Sequence, residues 1–446
     1  EIRKFFLSQR SIGVDKNQRI GSLLILHFSD IHFRKSEIST AHDPNFHLRS
    51  ELVRDVVRQS QLLGAPDAII ISGDIAFAGD QDEFEFATEW LRTLCDACGS
   101  SMQSVFVVPG NHDVVRELAD QDLVQLIHGQ IKRASDPTAE IAKYLGNPAV
   151  SRLLYQSLDN FNQFAFQFLC DLLPPERTRA TRDLQLNDGS TLRLWGLNTA
   201  VVSSRHDRAG ELFVDRASLQ ITREAGVVNL VVAHHHLSWL RQNAELADHL
   251  NDVAPVQIFG HIHTNRIDMN RDFMRLTASA AHPDRREAGW EPGYNFLEVS
   301  VVGEPEARKL HLKAHVRVWQ TAPGGFQAKM DRDSSVFEHY VDLDPWHAPQ
   351  VIPVTAPPTE LPISGIGAAT MLIEEGQAMN TIRDLGLRFY RLSFSKKSEI
   401  AGRLELLEDE DMGQPDHERF RRVFIRAHER GKLEEFARAV AAAEKE

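Results

Sequence analysis

The sequence has three cysteines among its 446 residues, too few for a framework of disulfide bonds. It also lacks an apolar run of the roughly 18–20 residues that a membrane-spanning helix requires. The apolar stretch within residues 1–7 is too short for the core of a secretory signal peptide. These absences argue against a disulfide-stabilised secreted domain and an integral membrane protein, and we expect a protein of the reducing cytoplasm.

An excess of positive charge is lacking as well. The chain has 50 Lys and Arg residues and 63 Asp and Glu residues, which gives a formal net charge of −13. This balance argues against a surface that binds nucleic acid as a whole, although a local basic groove is compatible with it. The chain has no internal repeat, and its 42% hydrophobic and 25% charged content is ordinary for a globular protein. The unusual number is 20 histidines, whose placement carries most of the information.

Short apolar runs alternate with helical patterns through the first 265 residues. This alternation predicts an α/β fold, in which helices cover the faces of a central sheet. The residues at 116–180 are mainly helical in pattern, and we interpret them as an inserted helical cap. The predicted strands are 22–28, 67–72, 104–108, 191–197, 227–233, 256–259, 273–279, 294–302 and 310–319.

A proline-rich stretch at 345–363 indicates a boundary between two domains, because such a segment forms an extended, semi-rigid linker. The first domain is predicted at 1–344. The residues that follow, 364–446, show helical periodicity and predict a small all-α domain.

Polar side chains with ligand chemistry directly follow several of the predicted strands. In an open α/β sheet the carboxyl ends of the strands are where ligands bind, so these side chains can converge. In extended backbone, residues i and i+2 point to one side, which predicts that Asp30 and His32 face one metal ion, as do His261 and His263. Carboxylate, imidazole and amide oxygen donors suit Mn, Fe and Zn better than Ca or Mg. The segments are Ser29-Asp30-Ile31-His32, Ser72-Gly73-Asp74, Pro109-Gly110-Asn111-His112-Asp113, His234-His235-His236 and Gly260-His261-Ile262-His263.

These segments, in this order, resemble the motifs of the calcineurin-like metallophosphoesterase family: D-x-H, GD, GNH[D/E], a strand-end His and GHxH. The resemblance covers residues 22–319 and implies a four-layer αββα sandwich with two divalent metal ions, either Mn or Fe and Zn. It also implies which residues bind each ion. The ligands of the first ion would be Asp30, His32 and His263, and those of the second would be Asn111, His234 and His261. Asp74 would bridge the two ions.

The same resemblance implies in-line attack by a hydroxide that bridges the two metal ions, with His112 stabilising the phosphoryl oxygen and protonating the leaving group. Asp113 either orients His112 or caps a helix. His234 is favoured as the strand-end ligand, and His235 is the alternative, which otherwise faces the substrate. Arg285 and Arg286 are candidates for binding phosphate at the rim of the cleft. The alternative is that the residues of this segment only form a turn.

The family resemblance implies a phosphoester hydrolase. We favour a phosphodiesterase that acts on nucleotides, cyclic nucleotides or nucleic acid, which would include a nuclease. The alternatives are a phosphomonoesterase or protein phosphatase, and a catalytically silent metal-binding sensor. Because Asp74 and His112 are both present, an enzyme is favoured over a sensor.

The C-terminal region carries amphipathic helical patterns between 385 and 440. Its segments at 396–401, 416–420 and 426–433 resemble the effector-associated adaptor domains of bacterial conflict systems, which are small death-like bundles. This resemblance implies that the domain recruits a protein partner and that the enzyme serves in antiviral defence. The alternative is a helical bundle that merely stabilises the catalytic domain.

Overall fold

The computed structural model describes residues 21–38, 40–286, 289–348, 385–386 and 388–445. The chain divides into two compact units, with the boundary between Trp346 and His347. The predicted linker at 345–363 lies, apart from its first four residues, outside the described residues, and so does the predicted start of the C-terminal domain.

The first unit contains two mixed β-sheets. The first sheet has the order β12-β11-β10-β1-β2-β3, with β13 paired to another part of β11, and β1, β2 and β3 are parallel to one another. Its strands are β1 (Leu23–Phe28), β2 (Ala68–Ile71), β3 (Val105–Val107), β10 (Gly293–Val302), β11 (Lys309–Thr321), β12 (Gly324–Ala328) and β13 (Phe337–Asp342).

The second sheet has the order β4-β5-β6-β7-β9-β8, and the run from β5 through β9 is parallel. It packs against the first sheet: a Cβ atom on Gly196 would lie 2.8 Å from Val108 and 3.0 Å from Phe106. Its strands are β4 (Arg179–Gln185), β5 (Thr191–Leu197), β6 (Val227–Ala233), β7 (Val256–Phe259), β8 (Arg266–Asn270) and β9 (Phe273–Thr277).

Two long helices make the connections of the first sheet. Helix α1 (Phe46–Leu63) ends at Gly64, and helix α2 (Gln81–Cys98) ends at Gly99, a glycine in the left-handed conformation. Asp80 caps the first turn of α2, where Glu83 completes a capping box, so the sequence marks both ends of this helix. The result is the predicted α/β fold, in which helices surround two sheets.

The segment predicted as a cap contains five helices, after which β4 begins at Arg179. These helices are α3 (Arg116–Ala119), α4 (Asp122–Arg133), α5 (Pro137–Leu145), α6 (Pro148–Tyr155) and α7 (Asp159–Ala165). A further helix, α8 (Asn243–Val253), connects β6 to β7. Of the helices that the structure describes, none is long and apolar enough to cross a bilayer.

The second unit is helical, as predicted. It comprises α9 (Phe394–Arg403), α10 (Asp416–Glu429) and α11 (Leu433–Ala443). The rings of Phe389, Phe420 and Phe436 form its buried centre, with 4.6 Å between the ring centroids of Phe389 and Phe436. This unit therefore has a hydrophobic core of its own.

The sequence patterns located most strands of the sandwich to within one or two residues, but they missed four. These four are β4, β8, β12 and β13, which lie at or near the edges of the two sheets. Edge strands have one open side, so their apolar patterns are weaker; β8, for example, has no fully buried residue. All three cysteines are buried.

A buried ion pair fastens α1 to the first sheet. Asp55 on α1 accepts hydrogen bonds from Arg317 Nε at 2.8 Å and Nη2 at 2.9 Å, and from the Tyr294 hydroxyl at 2.7 Å. Arg317 also donates to the carbonyl oxygen of Phe326 at 2.8 Å. Since each charged group is paired and hydrogen-bonded, the network is stable only when it is complete.

We predict that Asp55→Ala lowers the free energy of unfolding by about 3–5 kcal/mol, because it leaves the buried Arg317 guanidinium without its carboxylate. Urea unfolding followed by circular dichroism measures the loss. The matched control is Asp342→Ala, which breaks an exposed pair with Lys309 and should change the free energy by less than about 1 kcal/mol. Equal effects of the two substitutions would contradict the structural importance of the buried pair.

Candidate metal centre

The residues predicted to bind metal follow the carboxyl ends of five strands. Asp30 and His32 follow β1, Asp74 follows β2, and Asn111 follows β3 in the first sheet. The second sheet contributes the remaining three: His234 follows β6, and both His261 and His263 follow β7. Among the described residues, four overlapping groups of three His or Asp residues have ligand atoms within 4.8 Å of one another. Two groups consist of predicted ligands alone, and each of the other two adds one residue, His235 or His112. The centre is therefore assembled from both sheets.

The backbone conformation at the predicted ligands differs from the one expected from the sequence. We expected extended backbone at the D-x-H and GHxH segments, but the residues at these positions have left-handed φ angles. The angles are 53° at Asp30, 53° at His32, 69° at His261 and 57° at His263, and Asp74 also has a φ of 54°. Such angles are costly for residues other than glycine and cluster where function requires them. The expectation of extended backbone was thus wrong.

Asp30 and His263 approach each other on one side of the centre. His263 Nε2 lies 3.1 Å from Asp30 Oδ1, and the ligating atoms of these two residues and of His32 form one of the compact groups. The other carboxylate oxygen of Asp30 accepts a short hydrogen bond from the Ser29 hydroxyl and one of 3.1 Å from the His261 backbone N–H. One oxygen of Asp30 is thus fixed by the protein and the other faces the group.

His234 occupies the opposite side. Its Nε2 lies 3.2 Å from Asp74 Oδ2, 3.1 Å from Asn111 Oδ1 and 3.3 Å from His261 Nδ1. Its Nδ1 donates to the carbonyl oxygen of Ser72 at 2.8 Å, which leaves Nε2 as the atom that can coordinate. His235 is close as well, with Nε2 3.2 Å from Asn111 Oδ1 and Nδ1 2.8 Å from the Thr199 hydroxyl. His234, unlike His235, contacts the Asp74 carboxylate.

Asp74 lies between the two sides. Its Oδ2 atom is 3.2 Å from His32 Nε2 and 3.2 Å from His234 Nε2, and its Oδ1 accepts a hydrogen bond of 2.8 Å from the His112 backbone N–H. A single carboxylate oxygen is therefore shared by imidazoles from both sheets. This is the position in which a bridging ligand would lie.

The donor set fits divalent cations. Asp30 and Asp74 are 0% and 1% exposed, and the described residues place no Lys or Arg within ion-pair distance of either. Burial raises the pKa of Asp74, but the adjacent His234 and His112 outweigh burial and hold it well below its usual range. Burial likewise opposes protonation of His234, yet the Asp74 and Asp30 carboxylates raise its pKa to about 9. Two buried carboxylates thus require positive charge, which metal ions would supply.

Two glycines allow the backbone to pass close to the side chains around the centre. A Cβ atom on Gly110 would lie 2.1 Å from Asp74 Oδ1, and one on Gly260 would lie 2.1 Å from the Ser29 hydroxyl. A larger residue would displace the Asp74 carboxylate at position 110 and, at position 260, the Ser29 hydroxyl that donates to Asp30.

Asp113 has a different environment from either of the two alternatives that its sequence position suggested. Its carboxylate accepts hydrogen bonds of 2.8–2.9 Å from four backbone N–H groups, those of Asp74, Ile75, Ala76 and Gly110. Neither oxygen bonds to the His112 ring, and the residue that caps α3 is Val115. Burial raises the pKa of Asp113 to about 8, and the hydrogen bonds from Gly110 and Ala76 oppose this shift. Asp113 positions the loop that carries Asp74.

His112 borders the His32 side of the centre, with 4.8 Å between the two ring centroids. Its Nδ1 is 2.8 Å from the Phe77 carbonyl oxygen and 2.7 Å from Arg116 Nη2. The carbonyl can only accept and the guanidinium can only donate, so Nδ1 serves one of them at a time. In both tautomers, Nε2 is the ring atom left for proton transfer.

The two arginines predicted at the rim have partners outside the centre. Arg285 donates to the Pro44 carbonyl oxygen at 3.4 Å and lies 5.7 Å from the centroid of the Trp290 ring. The backbone N–H of Arg286 bonds to Asp284 at 3.0 Å, as in the turn that was the alternative reading. The structure does not place either guanidinium against a predicted metal ligand within the described residues.

Sequence reasoning missed several residues that do border the centre: Arg34, Phe77, Arg116, Thr199 and Trp239. The Trp239 ring centroid is 4.1 Å from that of His261. Arg116 follows His112 by only four residues, but its helix begins at Arg116 itself, so helical spacing does not account for their contact. Trp239 follows His235 by four residues, with 6.1 Å between the ring centroids, whereas Thr199 lies 36 residues before His235 and no local pattern indicates it.

Comparison with known proteins agrees with the fold and the motifs. The family profile of calcineurin-like phosphoesterases matches residues 23–265, and the chain belongs to that family. Membership implies divalent metal ions. A second profile, that of the GTPase-associated adaptor domain, matches residues 381–442 and confirms the predicted adaptor domain.

One curated relative is the uncharacterized metallophosphoesterase-like protein YydB of Bacillus subtilis, 23% identical over 276 residues. The match covers 58% of this chain and 53% of YydB, so the chain spans about half the length of that relative. Similar solved structures include the purple acid phosphatase PPD1 from yellow lupin, with 13% identity and a TM-score of 0.38, covering 73% of this chain and 55% of that one. Another is GAP50 of Plasmodium, with 11% identity, a TM-score of 0.38 and coverages of 73% and 90%.

We predict that Gly110→Ala weakens manganese binding by at least about tenfold, because the new methyl group displaces the Asp74 carboxylate. Calorimetric titration of the metal-free protein measures the affinity and the number of ions bound. The control is Gly402→Ala, where no atom lies within 4 Å of the added carbon. Unchanged binding in Gly110→Ala would show that Asp74 is not a ligand.

Proposed function

We propose that this protein is a dinuclear metal-dependent phosphoesterase that hydrolyses phosphodiesters. The observation that carries the proposal is the position of Asp74, whose Oδ2 lies 3.2 Å from imidazoles on both sides of the centre. Two sets of ligands that share one carboxylate favour two adjacent ions over a single one. Nucleotides, cyclic nucleotides and nucleic acid are the substrate classes that we favour.

The two ions would be held by the sets described above, with one shared residue. When bound, the ions supply Lewis-acid stabilisation of the phosphoryl oxygens and lower the pKa of a bound water. The chain fixes the donors of these sets through the protein-held oxygen of Asp30 and the Ser72 carbonyl beneath His234. The two sets are Asp30, His32 and His263, and Asn111, His234 and His261, with Asp74 shared.

His112 is the proposed acid. When its Nδ1 accepts a hydrogen bond from Arg116, the ring proton is on Nε2, which is the atom that would pass it to the leaving oxygen. Its backbone N–H is bonded to Asp74 Oδ1, which couples the position of the acid to that of the shared carboxylate. His235, whose Nε2 lies 3.2 Å from Asn111 Oδ1, remains a candidate substrate contact.

The C-terminal domain is proposed to recruit a protein partner. An adaptor domain that has its own core is suited to bind another protein while the catalytic unit performs the chemistry. Action in the bacterial cytoplasm, in antiviral defence, is the biological role that we favour for this pairing.

The proposal is tested by the hydrolysis of bis(p-nitrophenyl) phosphate and of p-nitrophenyl phosphate in the presence of manganese. We expect a higher kcat/KM for the diester. A preference for the monoester would instead establish a phosphomonoesterase or protein phosphatase. Hydrolysis of neither compound by protein that has bound two ions would favour the metal-binding sensor.

We further predict that His112→Ala lowers kcat for the diester by about 10²–10⁴-fold, because the leaving oxygen loses its proton donor. The number of manganese ions bound should stay at two, since His112 is in neither ligand set. His428→Ala, which removes an exposed histidine of the C-terminal unit, is the control and should leave kcat unchanged. Full activity of His112→Ala towards a diester with a poor leaving group would show that another residue is the acid.

A further inference from the structure

Two arginines that the metal centre does not use lie around one aromatic ring at its edge. The guanidinium carbon of Arg34 lies 3.7 Å from the centroid of the Phe77 ring, and that of Arg116 lies 5.3 Å from it. The same ring lies 5.0 Å from the centroid of the His112 ring and 6.2 Å from that of His32. The positive charges are therefore placed one aromatic ring away from the proposed acid and from a predicted ligand.

The charge of Arg116 is not neutralised by the protein. Its Nη2 contacts His112 Nδ1 at 2.7 Å, and its other contact is with the apolar Phe77. The described residues place no carboxylate within ion-pair distance of it. A guanidinium has five N–H groups, so most of its donors are available to an anion. Its side chain is half-buried beside the centre.

Arg34 is held by stacking more than by ion pairs. Its contacts with Glu37 at 4.0 Å and Asp284 at 3.8 Å are at the limit of an ion pair, and its side chain is 29% exposed. Contact with the Phe77 face fixes the plane of the guanidinium, and neither carboxylate is within hydrogen-bond distance of its N–H groups. A guanidinium held in this way can bind phosphate through two hydrogen bonds. Such a cationic pair is notable in a chain whose net charge is −13.

We propose that Arg34 and Arg116 form a subsite for a second phosphate group of the substrate, next to the scissile phosphate on the leaving-group side. The inference rests on the proposed function, because His112, which marks the leaving-group side, borders both Phe77 and Arg116. A substrate with two neighbouring phosphates, such as an oligonucleotide or a nucleoside polyphosphate, would occupy the metal centre and the subsite together. A phosphoester with one phosphate would occupy the metal centre alone.

The test compares two inhibitors of diester hydrolysis that differ by one phosphonate, methylphosphonate and methylenediphosphonate. We expect the wild-type protein, loaded with manganese, to bind the diphosphonate at least about tenfold more tightly. Arg34→Gln and Arg116→Gln should each reduce this advantage by about tenfold or more. Because all proteins are measured at the same manganese concentration, chelation by the diphosphonate affects each of them equally. The change in the ratio between the wild-type protein and a variant therefore measures the subsite. Arg271→Gln, at an exposed turn, is the matched control and should keep the full advantage.

A ratio of the two inhibition constants that stays at the wild-type value in Arg34→Gln and Arg116→Gln would overturn the proposal. A role of Arg116 confined to positioning His112 would lower kcat but leave the ratio unchanged. If the wild-type protein hydrolyses no diester, the proposed function fails, and calorimetric titration of the manganese-loaded protein with the two phosphonates still measures the ratio. The two proposals can therefore fail separately.

Discussion

The burial of two carboxylates at the edge where two sheets meet is the constraint on which the centre depends. Asp30 and Asp74 are withdrawn from water, and their side-chain partners are histidines and a serine. Negative charge in such a place is unstable without positive charge nearby. His234, from the second sheet, takes up part of that charge, which is why its pKa rises to about 9 despite complete burial. Protonation of His234 and binding of a metal cation would both neutralise the negative charge of these carboxylates.

The need to hold two buried carboxylates close together also explains the strained backbone and the hydrogen bonds around the centre. The left-handed φ angles at Asp30 and Asp74 are costly, and the surrounding hydrogen bonds hold them in place. The backbone N–H of Asp30 donates to the Gly73 carbonyl oxygen at 3.1 Å, and that of Ile31 donates to the Asp74 carbonyl oxygen at 2.8 Å. Asp113 binds the loop of Asp74 through three N–H groups. The rigidity of these loops allows like charges to stay close together.

The predicted metal centre and the adaptor domain lie in different units of the chain. Every residue of the metal centre precedes Trp346, and the adaptor domain at 381–442 has its own aromatic core. The arginine pair that we propose as a phosphate subsite belongs to the first unit, so selection among phosphoesters would be a property of the catalytic unit.

Local periodicity and motifs of a few residues were sufficient to predict the α/β class, the buried strands of both sheets, the adaptor domain and the family. The sequence also indicated which side chains would meet, since the carboxyl ends of parallel strands converge. It could not indicate the left-handed backbone at Asp30 and His261 or the hydrogen bonds of Asp113. The positions of Arg34 and Arg116 around Phe77 were likewise decided by the tertiary structure alone. These features arise where segments distant in sequence come into contact, and the energies that select them, charge burial and steric fit, exist only after the chain has folded.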